Sequence, residues 1–452
     1  MRPRFALPVL ALAAVLAPAA AGASHATFGS PQAIAVRPYP GGTLATAIDP
    51  AGNSIVAWEG ASGIEVIRGD AAGRFGAPQL VARGAPSMID LSMAPDGSAA
   101  IAWGASISQP QGVATAAPGA RFGAPQHSRA TAIVATDGRV IAVWDRGVTR
   151  GHGQISYAIA PEGGRLGAPR TLPAPTPALL PSLFARPALA LDAHGNVVMD
   201  YLTAPSVSPP ANSQLVGAAM ASRASAFGDP AIVSGPLRRG ENIELPSALP
   251  GTALFSGPGG AAGSFIQGTP TAWNMDVIAA GTAFGPPLRA GSLAIPTQSG
   301  ETLTIAGPVV ALPRTGGELT AWTRVPTAAE AGPPPSKGDV YAAVAPAAGA
   351  PFGATKALAA PSQWPRDLLA GATNDLAIVL WTQLSGAPGY DHEQLDYVLH
   401  DAAGFTATRT LSSNALAPQT FSPDPVALAT AGDHAIAAWG AGKEVEVALL
   451  RG

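Results

Sequence analysis

The sequence predicts an all-β fold built from eight copies of one four-stranded unit, and three observations carry that prediction. First, an aromatic residue follows a turn residue by six positions at Gly52/Trp58, Gly97/Trp103, Gly138/Trp144, Gly195/Tyr201, Gly259/Phe265, Gly316/Trp322, Asp375/Trp381 and Asp433/Trp439. Second, each pair is preceded by a landmark: Phe28-Gly-Ser-Pro31, Phe75-Gly-Ala-Pro78, Phe122-Gly-Ala-Pro125, Leu166-Gly-Ala-Pro169, Phe227-Gly-Asp-Pro230, Phe284-Gly-Pro-Pro287, Phe352-Gly-Ala-Thr355 and Phe405-Thr-Ala-Thr408. Third, small and β-branched residues fill the interval between turn and aromatic, as in Ser-Ile-Val-Ala before Trp58. Two landmarks in step mark one supersecondary unit repeated along the chain.

Residues 75–121 serve as the type unit. After Phe75-Gly-Ala-Pro78, residues 79–82 form a short strand and residues 87–94 a second. Pro95-Asp-Gly97 is a tight turn, residues 98–103 are a third strand, and residues 112–117 a fourth. Alanine is a poor strand former, so a run such as Ala188-Leu-Ala-Leu191 could be argued as helical. Gly and Pro recur too often for a helix of normal length. Four such strands make one blade, and eight blades an eight-bladed β-propeller of four-stranded antiparallel blades. The last unit runs through residues 425–430, 434–439 and 444–450 and stops without its fourth strand. Residues 28–36 supply a spare strand at the other end, which is expected to join the last blade as its outer edge and close the ring.

Composition agrees with strands and turns. Of 452 residues, 53 are Gly and 46 Pro, 47% are hydrophobic and only 12% charged. Ordinary domains carry about 25% charge, so polarity here comes from the backbone and small residues. Met1-Arg-Pro-Arg4, an apolar run over 5–17 and Ala21-Gly-Ala23 read as a secretory signal peptide over 1–23, leaving 24–452 as one propeller domain, secreted or extracellular. Pro8 and Pro18 interrupt that run, so it does not read as a membrane span. With no cysteine the chain has neither lipobox nor disulfide, and stability must come from packing. The net charge of −3 does not suggest nucleic acid.

The Phe-Gly-x-Pro and turn-to-Trp repeats resemble those of secreted β-propeller repeat proteins of high-GC bacteria, over about residues 28–450. The unit is more distantly similar to Asp-box propellers of the sialidase type, in which the aromatic follows the glycine by three residues rather than six. Calcium-binding propellers of integrin type are excluded, because no Asp-x-Asp-x-Asp-Gly loop occurs. The resemblance implies a fold and is silent on activity.

When strands run A to D from centre to rim, A–B and C–D turns share one face of the disc, and B–C loops and D–A crossovers share the other. The lengthened segments 173–185, 202–214, 235–249, 291–306, 323–338, 382–394 and 412–423 all fall on the second face. Elaboration of one side is expected of a binding scaffold. Nine residues before each turn landmark lies the start of strand A, at the channel mouth, occupied by Thr43, Met88, Arg129, Arg186, Pro250, Gly307, Arg366 and Asp424. Arg129, Arg186 and Arg366, with Asp424 orienting one of them, are candidates for holding an anion, since guanidinium forks match carboxylate or sulfate. Trp364, Trp273 and Tyr390 fall on the same face and suit stacking on a sugar ring.

Other signals carry less. Asp391-His-Glu393 with Asp396, His400 and Asp401 could offer metal ligands, but strand alternation separates them, and the cluster reads as solvated. Leu312-Pro-Arg-Thr-Gly316 and Arg68-Gly-Asp70 match short motifs by chance. No nucleophile elbow or His-Glu-x-x-His occurs, and neither a metal nor a cofactor is expected. The reading is a monomeric, non-enzymatic, exported propeller binding a glycan such as an acidic polysaccharide, an envelope component or a protein. The alternative is a propeller-type glycoside hydrolase or lyase acting on acidic polysaccharide. It would need two carboxyls about 5–10 Å apart, drawn from Asp424, Glu241, Glu244 and Asp367.

Overall fold

The computed structural model describes residues 26–36, 42–84, 88–104, 111–126, 130–145, 154–173, 180–181, 187–204, 214–234, 242–244, 254–269, 272–294, 302–315, 317–327, 339–359, 364–385, 392–415 and 425–451. Among them there is no helix; the elements are antiparallel strands grouped in eight sheets. These sheets are the blades of the eight-bladed propeller.

Strand A, the innermost, is Leu44–Ile48, Met88–Met93, Thr131–Val134, Ala188–Leu191, Leu254–Gly257, Thr302–Ala311, Trp364–Ala372 and Val426–Ala431 in blades 1 to 8. Each pairs with a B strand that ends on or beyond the repeated aromatic: Ser54–Gly60, Ala99–Gly104, Val140–Asp145, Val197–Ala204, Gly260–Thr269, Glu318–Thr327, Ala377–Ser385 and His434–Ala441. Strand C follows as Gly63–Gly69, Gly112–Ala116, Ile155–Ala160, Gln214–Met220, Ala272–Ala280, Asp339–Ala345, His392–Asp401 and Glu444–Arg451. The outer D strands vary most: Leu288–Ala294 and Arg409–Ala415 have seven residues and Gln79–Arg83 five, whereas others are very short. Arg170–Thr171, Ala231–Ile232 and Lys356–Ala357 have two each, and blade 2 has only the bridge Val113↔Gln126. A rim strand touches one neighbour instead of two, so little is lost by shortening it.

Both landmarks resolve into hydrogen bonds. The turn glycines Gly52, Gly97, Gly138 and Gly195 have φ between 76° and 88°, where a side chain is strained, and each donates its N–H to the carbonyl three residues back. The residue after the second landmark's first position donates to a C-strand carbonyl in every blade. The pairs are Gly76–Arg68, Gly123–Thr115, Gly167–Ile159, Gly228–Ala219, Gly285–Ala279, Gly353–Val344, Thr406–Leu399 and Gly29–Leu449, all at 2.8–3.0 Å. The last of these belongs to the N-terminal landmark. Thr27–Phe28 and Gln32–Val36 pair antiparallel with Glu444–Arg451, so the spare strand closes blade 8 as expected.

The core lies between blades. Apolar clusters join blades 1 and 2 (Ile101, Trp103), 2 and 3 (Ala102, Val140), 3 and 4 (Ile141, Tyr201), and 4 and 5 (Val198, Phe265). Others join blades 5 and 6 (Val277, Trp322), 6 and 7 (Leu319, Trp381), 7 and 8 (Leu380, Trp439), and 8 and 1 (Ile436, Trp58). Every blade is therefore covered on both faces, and an alanine-rich run such as Ala99–Gly104 is buried at every position. Blades converge toward the axis and leave room there for small side chains, which is how tertiary packing overrides the weak strand propensity of alanine.

Candidate functional site

One face of the disc is raised by taller blades. Among the described residues, the B strand runs three to five residues past its aromatic in blades 4 to 7, to Ala204, Thr269, Thr327 and Ser385, and one or two past it in blades 1, 2, 3 and 8, to Gly60, Gly104, Asp145 and Ala441. Much of what the sequence presents as loop is therefore sheet. Residues 302–306 belong to strand A of blade 6, which continues through Gly307 and Pro308 around a bulge between Ala306 and Val309. Strands B and C of blade 5 pair as far as Thr269↔Ala272.

Blade 7 concentrates polar groups beneath this wall. Its A strand is bulged between Arg366 and Leu369, and within the bulge Asp367 has φ +37°, a left-handed backbone costly for a residue with a side chain. The Thr382 hydroxyl donates to Asp367 Oδ2 at 3.0 Å. Asp396 is buried and accepts from Gln383 Nε2, from Gln394 Nε2 at 2.7 Å and from the Thr410 hydroxyl at 2.8 Å. Burial raises its pKa, and the three donors partly offset that. Glu393 is buried too. The solvated reading of this acidic stretch is thereby corrected for both residues: strand C continues between strand B and Arg409–Ala415, and covers them. His400 and Asp401 stand at the far end of the same strand, where burial beside Phe405 lowers the histidine pKa.

A second group of carboxyls lies between blades 4 and 5. Asp200 precedes Tyr201 on strand B, is 2% exposed, and its Oδ2 has no hydrogen-bond partner among the described residues. Burial alone drives its pKa well above the usual carboxylate range, favouring the protonated form. Asp276, also buried, has Arg289 Nε at 3.8 Å. On blade 8, burial and the neighbouring Glu444 raise the pKa of Glu446. None of these was recognisable in the sequence, because their burial depends on the adjoining strand or blade.

Of the residues expected to bind, Arg129, Arg186, Asp424 and Tyr390 lie outside the described residues, as does Glu241. Arg366 occupies strand A of blade 7, opposite Thr382, as expected, and Trp364, opposite Leu384, begins the same strand. Trp273 is the second residue of strand C of blade 5, between Gly268 and Leu293, two blades away. Among the described residues no group of three His, Asp or Glu side chains converges as a metal site.

No protein-family model matches the chain, and no curated protein matches its sequence. Solved structures similar to it include the NanB sialidase from Streptococcus pneumoniae, 9% identical, TM-score 0.37, covering 94% of each chain. The Hadza microbial sialidase Hz136 is 9% identical with TM-score 0.38, covering 78% of this chain and 75% of that one. The β-propeller domain of the Trilobed protease from Pyrococcus furiosus is 7% identical with TM-score 0.42, covering 85% and 99%.

Proposed function

We propose that this protein is an exported, non-enzymatic scaffold whose tall-blade face binds a glycan, an envelope component or a protein. The observation that supports this is the confinement of strand extension to one face of blades 4 to 7, while the other face keeps short turns closed by their own residues. Asp49, for example, accepts from the N–H groups of Ala51 and Asn53 and from the Asn53 amide, so it is occupied in shaping its turn. Arginines at the expected strand-A starts, Arg129, Arg186 and Arg366, favour an acidic polymer as ligand. A screen of purified protein against acidic and neutral polysaccharides, envelope fractions and secreted proteins should find saturable binding without turnover. Absence of any saturable binding would leave a purely structural role.

The hydrolase or lyase reading has one observation in its favour, the strained backbone of Asp367 beside Arg366. Depolymerisation of an acidic polysaccharide in the same screen, lost in Asp367→Asn, would establish it in place of the binding role.

A further inference from the structure

A groove of about 480 Å³ opens between blades 1 and 2, away from the channel mouth and the tall blades. Among the described residues it is lined by Leu80 to Arg83 of strand D of blade 1 and by Trp103, Gln111 and Pro125 of blade 2. Its size falls within the roughly 300–1,000 Å³ of small-molecule sites.

Three features give the groove a chemistry. The position opposite the repeated aromatic carries a side chain in every other blade: Glu65, Ser156, Val216, Asp276, Tyr341, Asp396 or Glu446. In blade 2 it is Gly112, where an added Cβ would come within 2.5 Å of the Trp103 ring. The indole therefore leans over the strand and, only 3% exposed, underlies the groove as a buried apolar floor. Leu80, 41% exposed, is one of two large apolar side chains left exposed among the described residues, and it stands in the wall. Arg83 is exposed and has neither ion pair nor hydrogen bond among the described residues, whereas Arg74, Arg139 and Arg289 each face an aspartate. A guanidinium without a partner among the described residues, beside an apolar wall, matches a ligand having one apolar face and one carboxylate.

We propose that this groove binds a carboxylated sugar unit, with the ring against Leu80 and Val81 over the Trp103 floor and the carboxylate on Arg83. A sugar fits better than an acidic peptide because the single cation and compact floor suit one ring and its substituents. Calorimetric titration with a short oligogalacturonate and its carboxyl-reduced counterpart tests this on the full chain. The acidic probe should bind saturably and the reduced one about 10-fold more weakly or not at all. Arg83→Gln should weaken the acidic probe about 10-fold, as expected for loss of one charge-assisted contact, and Leu80→Asp should weaken it as well. Arg83 and Leu80 are exposed, so both variants should melt with the parent. The proposal fails if the acidic probe does not bind, if Arg83→Gln binds it equally well, or if a charge-matched acidic peptide binds more tightly. It also fails if binding is lost only on changing Arg186 and Arg366, which would locate the ligand at the channel mouth instead.

Discussion

At Asp200 the chain buries a carboxyl between blades 4 and 5 with no donor on Oδ2 among the described residues, where an uncompensated charge would cost on the order of several kcal/mol. The folded state therefore holds the proton more tightly than the unfolded chain does. The stability this confers is complete below the unfolded pKa of about 3.9 and is lost as pH rises through the elevated folded value. Glu318, Asp396, Glu446 and Glu59 are shifted the same way, each mainly by burial. Asp200→Asn keeps a polar side chain and removes the titration. Its melting temperature should exceed that of the parent near pH 7 by an amount equivalent to about 1–3 kcal/mol, and the gap should close toward pH 4. Parallel profiles for the two proteins would show that Asp200 does not titrate against the fold.

Among the elements, the closing strand has the clearest test. Gln32–Val36 covers the edge of Glu444–Arg451, and Phe28 packs edge-on against Tyr397 of blade 7, with ring centroids 5.1 Å apart. Deleting residues 27–36 would uncover backbone groups along the last strand and open the seam between blades 7 and 8. Limited proteolysis of that variant should cut first within residues 425–451, while the parent resists; equal resistance would mean that the ring is secured elsewhere. This strand was legible in the sequence because its landmark is complete, and the N–H of Gly29 makes the bond that Gly76 makes in blade 1. The A strand of blade 6 was not legible. Gly307-Pro308 reads as a break, and only pairing with Glu318–Thr327 carries the strand around the bulge. Buried acids such as Asp396 were hidden for a related reason: sequence alternation assigns a strand face, but not what covers it.

For the whole molecule, the proposed site at Arg129, Arg186 and Arg366 carries a prediction about ligand geometry. Blades 3 and 4 are neighbours and blade 7 lies three further round, so one ligand meets all three residues only by spanning the channel. That favours an extended acidic polymer over a small anion. Charge-assisted contacts contribute on the order of 1.5–3 kcal/mol each, so changing Arg186 and Arg366 together to Ala should abolish polymer binding and its salt dependence. Thermal stability should barely move. Unchanged affinity, or unfolding several degrees earlier, would make these arginines structural.

The closure of blade 8 also orders events in time. Residues 27–36 are synthesised about 400 residues before residues 444–451, yet they form one sheet. Every seam from blade 1 to blade 7 joins segments adjacent in the chain and can form as they appear, but the eighth must await residues 444–451. Contacts this distant in sequence close slowly. Until then the chain is a growing open arc, and the pairing of residues 27–36 with residues 444–451 converts it in one step into a closed ring.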